Sequence, residues 1–162
     1  MLPPVHAMLP NSSGTERLRT LLLVVLLVAA GGTGTELLLL GHFEDWWQRI
    51  PLVGLGVGTV VTAWVLMRPS ATSIRALRVL GVAFLATGVL GLILHFKGNV
   101  EFELELHPSM GGFELVWEGL RGAFPALAPG AMAQLGLLGL VACYRHPLLS
   151  GREAAPYGAT EP

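Results

Sequence analysis

The sequence predicts an all-α fold: a polytopic membrane protein of four transmembrane helices with both termini cytoplasmic. Three observations carry this expectation. Apolar residues make up 52% of 162 positions, and 21 glycines come in addition. Charged residues are 13%, about half the ~25% of a soluble domain and too few to cover its surface. The apolar residues also gather into four runs of 17–21 residues, where a hydrocarbon core about 30 Å thick takes about 20 helical residues. A net charge of −1 leaves no basic footprint for a nucleic acid, which is excluded as a partner. The single cysteine, Cys143, rules out an internal disulfide framework and a Cys-rich metal site.

Residues 1–20, with Pro3, Pro4, Pro10 and the polar Asn11–Gly14 stretch, read as a disordered cytoplasmic N-terminus. The first span is Leu21–Gly41. Arg17, Arg19 and the Val28-Ala29-Ala30 triplet also have the layout of a secretory signal and its cleavage site. The apolar run continues through Leu37–Leu40 to spanning length, so an uncleaved anchor is the better reading. Trp46 and Trp47 follow at its outer end, where an indole ring sits at headgroup level. The second span is Pro51–Met67 and the third Ala76–Phe96, joined by a short loop that makes consecutive helices antiparallel neighbours. The fourth is Ala123–Ala142, opened by Pro125 and Pro129, and residues 143–162 form a cytoplasmic tail. Together, residues 21–142 are one transmembrane domain. Small residues recur on three spans: Gly54, Gly58 and Thr62; Ala83, Thr87 and Gly91; Ala133, Gly136, Gly139 and Ala142. Such seams let backbones approach, the main source of helix association in lipid.

Positive charge sets the orientation. Arg17, Arg19, Arg68, Arg75, Arg78, Arg145 and Arg152 fall on one side, and Arg49, Lys97 and Arg121 on the other. The richer side is cytoplasmic. The expected location is therefore an integral membrane one, the cytoplasmic (inner) membrane of a bacterium.

The third loop, residues 97–122, is the most organised segment outside the spans. Glu101, Phe102, Glu103, Leu104, Glu105, Leu106 and His107 alternate strictly, which predicts a short extended segment with its carboxylates and His107 on one face. Pro108 and Gly111-Gly112 break it. Phe113, Val116, Trp117 and Leu120 then recur at helical spacing, opposite Glu114, Glu118 and Arg121. This predicts an amphipathic interfacial helix on the bilayer surface.

Chemistry-bearing residues are sparse. His42, Glu44, Asp45, Glu101, Glu103, Glu105 and His107 make an acidic outer face, without the spacing of a zinc or iron site. No metal or cofactor is assigned, and no constellation for nucleophilic catalysis is present, so the chain reads as a non-enzyme. Glu36 is the only carboxylate within the four spans. A charge there is costly, so Glu36 is expected to face the bundle, with His95 as first and Gln134 as second partner. Two functions follow. The first is a non-catalytic accessory or structural subunit of a membrane complex, whose partners are the lipid bilayer and a membrane or periplasmic protein met through residues 97–122. The alternative is a small proton or cation transporter or channel built on Glu36 with the acidic face as its vestibule.

Overall fold

The computed structural model describes residues 12–122 and 128–149, and these are helical with no strand among them. Five α-helices follow one another: α1 Ser12–Leu39, α2 Trp46–Met67, α3 Ala71–Leu106, α4 Gly112–Arg121 and α5 Gly130–Ala142. A 3₁₀ turn at Pro147–Leu149 packs back on α3. Three of these helices are long and apolar enough to cross a membrane, α1 from Gly14, α2 and α3. Their outward surface suits lipid rather than water: Val24, Val28, Val53, Val60, Val79, Val82 and Ile93 are all exposed, a far larger apolar surface than soluble monomers carry.

Each boundary has a local cause. Residues 12–20, expected to be disordered, instead form the opening turns of α1. Extending a helix already nucleated by its apolar run costs far less than starting one. α1 closes in a Schellman turn: the Gly41 N–H donates to Leu38 O at 3.1 Å and the His42 N–H to Leu37 O at 2.9 Å. The turn needs a left-handed residue, and Gly41 supplies it at φ +67. α2 starts at Trp46, ahead of the expected Pro51, because the Gln48 side chain accepts from the Glu44 and Asp45 N–H groups at 2.9 and 3.3 Å. α3 opens on a reciprocal pair: the Ser73 N–H donates to Ser70 Oγ at 3.1 Å and the Ser70 N–H to Ser73 Oγ at 2.9 Å.

The extended segment expected at Glu101–His107 is corrected. Through Leu106 these residues are the last turns of α3, which runs unbroken for 36 residues. At about 1.5 Å per residue it is ~54 Å long, well beyond the hydrocarbon thickness. Glutamate and leucine are strong helix formers, and the run has no β-branched residue to favour a strand. The helix stops where Pro108 forces His107 out of the helical region, to φ −133 and ψ 75.

The four-span reading is met only in part. The expected fourth span begins at residues 123–127, which lie outside the described residues. The helix that follows, α5, has 13 residues, about 20 Å long and short of a bilayer core.

The bundle is tied together along α3. Gly81, Gly88 and Gly91 face α5: a methyl on Gly81 would lie 3.0 Å from Gly136 O, one on Gly91 would lie 2.6 Å from Pro129 Cβ, and one on Gly88 would strike the Ala133 backbone. The pairing of 81 with 136, 88 with 133 and 91 with 129 makes the two helices antiparallel. Ala133, Gly136, Gly139 and Ala142 therefore line a packed seam as expected, but on α3 Ala83 points outward and the glycines take its place. On α2 the Gly54, Gly58, Thr62 seam holds the Phe84 ring, whose Cζ would be 2.6 Å from a methyl on Gly58. α1 supplies Leu23, Leu26 and Ala30 at helical spacing to the core, which Leu55, Leu77, Leu135 and Met132 complete.

Candidate functional site

Charged and polar side chains collect at two ends of the bundle. At one end the Arg19 guanidinium donates to Tyr144 O at 3.1 Å and to Arg145 O at 3.2 Å, and the buried Cys143 Sγ lies 3.7 Å from Ile74 O. The start of α1, the start of α3 and the end of α5 therefore meet there. Arg78 and the loop carrying Arg68 belong to the same end. Burial pushes the Cys143 thiol up to about 11 against the opposing pull of Arg78 and Arg19. So high a value keeps the sulfur in its unreactive thiol form.

The opposite end carries most of the acidic residues together with His42, His95 and His107. The α1–α2 turn is fastened by Arg49, whose Nε donates to Phe43 O at 3.0 Å. It brings His42 beside His95 of α3, ring centroids 6.4 Å apart. Burial and the facing His95 lower the His42 pKa from the ordinary histidine value. Glu44 and Asp45 are exposed. On a helix, Glu103 lies roughly 200° around from Glu101, so the expected single face of Glu101, Glu103, Glu105 and His107 does not form. Glu101 and Glu105 share one exposed side, with Lys97 Nζ 3.4 Å from Glu101 Oε1, while Glu103 is half-buried. Among the described residues no group of three His, Cys, Asp or Glu side chains is gathered as a metal would require.

The expected intramembrane trio is not assembled. Glu36 lies in the last turn of α1 with its carboxylate exposed, rather than facing the bundle, and Gln134 is exposed on α5. His95 is half-buried, and its ring faces that of His42. Helical phase explains the placement of Glu36. The buried stripe of α1 is Leu23, Leu26 and Ala30, and its continuation at this level is the Gly34 and Leu37 side, which packs toward α2. Glu36 is about 200° from Gly34. Deeper in the bundle Thr62 is fully buried, and its Oγ1 has no hydrogen-bond partner among the described residues.

The elbow between α3 and α4 is the most specific polar contact. Asn99 is 0% exposed and its Nδ2 donates to Gly119 O at 2.9 Å. Gly119 itself lies against α3, where a methyl would meet Val100 Cγ2 at 2.8 Å and Phe96 Cε2 at 3.0 Å. The glycine side of α4 is therefore its packed side. Phe113, Val116, Trp117 and Leu120 remain 80%, 47%, 48% and 43% exposed. Sequence reading missed Asn99. A lone asparagine between apolar positions, just beyond a predicted span, is the signal that marks it.

No family model, characterised protein or solved structure matches this chain. Its function must be argued from the two ends and the elbow.

Proposed function

We propose that the chain is a four-span, non-catalytic accessory subunit of a membrane complex, and that the α3–α4 arm is its working part. The observation that carries this reading is the orientation of α4. A glycine and a buried asparagine hold one side to α3, and of the four large apolar side chains Phe113 stands free while Val116, Trp117 and Leu120 keep two-fifths or more of their surface exposed. An apolar helix face left free beside a membrane bundle fits the bilayer surface, with α4 as an amphipathic helix lying in it. The last turns of α3 then stand clear of the hydrocarbon and offer Glu101 and Glu105 to a partner protein.

The topology follows from the same packing. Residues 129–143 run beside α3 from Gly91 back to Ile74, about 25 Å of its axis. That length supports a fourth crossing completed by the residues around α5. The arginine end then lies in the cytoplasm with both termini, and α1, which gives Leu23 and Leu26 to the core, stays as an uncleaved anchor. The alternative, cation passage through Glu36, draws no support from an outward-facing carboxylate.

Hydrogen exchange in nanodiscs tests the arm. The V116D/W117D double variant is expected to raise amide exchange over residues 112–121 by about tenfold, while E114Q/E118Q changes it less than about twofold. Equal effects of the two would overturn the assignment. For the accessory role, a stoichiometric partner recovered from native membranes should be retained by wild type and lost with V116D/W117D. Proton or cation flux in liposomes that stops on Glu36→Gln would favour the transporter instead.

A further inference from the structure

The arginine end contains an open cavity of about 470 Å³ that the accessory role does not use. Arg78 enters it from α3, and Arg145, His146 and Tyr144 from the turn after α5. Leu140 and Leu149 give it an apolar wall, and Cys143 lies at its base. We propose that this cavity binds a phosphate-bearing anion, the headgroup of an anionic phospholipid, with Arg78 and Arg145 as its principal ligands.

Four features point to that chemistry. The first is an excess of positive charge. Among the described residues no carboxylate lines the cavity, although Glu16 is near enough to act on His146, and the ion pairs lie elsewhere, at Lys97–Glu101 and Arg121–Glu118. Guanidinium groups match phosphate oxygens with paired N–H donors. The second is a fixed frame. Arg19 donates to the Tyr144 and Arg145 carbonyls and so holds the turn in place. Arg145 sits in the left-handed region at φ 44, with its guanidinium carbon 5.4 Å from the Tyr144 ring centroid. The third is convergence: the charges of both Arg78 and Arg19 reach the same Cys143 thiol. The fourth is the mixed lining. A soluble phosphate needs only the basic groups, whereas Leu140 and Leu149 add a wall suited to the glycerol and upper acyl region of a lipid. Arg78 lies seven residues into α3, about 10 Å along its axis. Basic pockets between helices at the cytoplasmic surface are where anionic headgroups are held. The lipid source rests on the membrane reading above. The basic cavity itself does not.

The test uses the full chain purified in a neutral detergent, so it does not depend on topology. Phosphatidylglycerol, phosphatidylcholine and inorganic phosphate are titrated separately, with bound molecules counted by native mass spectrometry and stability followed by thermal unfolding. The expected result is saturable binding of about one phosphatidylglycerol and a raised Tm. Phosphatidylcholine should bind at least tenfold more weakly. Arg78→Gln and Arg145→Gln should each weaken phosphatidylglycerol binding about tenfold, while Arg75→Gln, an exposed arginine of the same end that does not line the cavity, changes it less than twofold. Arg78→Lys, which keeps the charge on a similar stem, should recover part of the loss and shows that the variants are folded. Binding of inorganic phosphate at millimolar concentration, equally sensitive to Arg78→Gln and with no gain from the lipid, would keep the site and assign it to a soluble phosphate. Equal binding of the two lipids, or equal losses from Arg75→Gln and Arg78→Gln, would overturn it.

Discussion

Two glycine contacts on the same helix do different things. Along its first two-thirds, α3 meets α5 through Gly81, Gly88 and Gly136, and the one polar contact between them among the described residues is the weak one from Cys143 Sγ to Ile74 O at the end of the seam. Backbone meets backbone, and the gain is close packing over a long seam. At its far end α3 meets α4 through Gly119, and here a side-chain hydrogen bond from Asn99 fixes the contact. The seam has many small interactions and no single indispensable one apart from its missing side chains. The elbow relies on a directed interaction in a short contact. A glycine therefore serves depth of packing in the first place, and in the second it decides which side of a helix is turned outward.

The comparison breaks most violently at the seam. Gly88→Val would drive a side chain into the Ala133 backbone, which cannot rotate away. Thermal unfolding in detergent should show a loss of at least ~3 kcal/mol, at or beyond the upper range for overpacking, or no stable protein. Gly56→Ala, a helical glycine with open space around it, should by contrast be neutral or stabilise by about 0.5–1 kcal/mol. Similar losses for both would remove the close-approach argument.

At the elbow the expected effect is smaller and local. Asn99→Ala deletes a buried donor and leaves Gly119 O without it, a cost of about 1–3 kcal/mol. Because the bundle seam does not include Asn99, hydrogen exchange should rise over α4 and remain unchanged over Gly81–Gly88. Uniform loosening of both regions would mean that the elbow and the seam are one cooperative unit.

The weakest test concerns the turn that holds His42 against His95. Burial lowers the His42 pKa in the folded protein, so below its unfolded value the unfolded chain takes up a proton that the folded one resists. Stability from this group is full above about pH 6.5 and is lost as pH falls from there through the lowered folded value. His42→Gln should flatten the fall in Tm between pH 7.5 and 5.5 by a small amount, since the group is only partly buried. A steeper fall in the variant would reverse the sign of the argument.

Much of this architecture was legible in the sequence, and the failures have physical causes. The long apolar runs, the limits of α4 and the Gly54, Gly58, Thr62 seam were readable because lipid solvation and helical period both leave marks in composition. The end of α3 was not. Strict alternation from Glu101 to His107 outweighed the helix-forming character of glutamate and leucine, although an established helix continues at little cost until Pro108 stops it. On α3 spacing predicts a seam of Ala83, Thr87 and Gly91, of which Gly91 packs on Pro129 and Ala83 points outward, because spacing alone does not fix phase: the side that packs is set by Phe84 seated on α2 and by the α5 backbone. Glu36 was expected to face inward because a carboxylate in a hydrocarbon span must be neutralised. It instead lies in the last turn of α1, three residues from the helix end. For the candidate site, the apolar side of α4 and the acidic residues were legible, whereas Asn99 and the arginine cavity depend on contacts 20 or more residues apart in sequence.

Because α3 is a single rod with α4 fastened to its far end, it behaves as a lever. Bilayers accommodate long helices by tilting them. A tilt of about 10° about the inner end displaces the far end of a ~54 Å rod by about 9 Å, nearly the diameter of a helix. In the proposed topology, membrane thickness would thus set where α4 meets the bilayer surface, without any change of structure within the bundle.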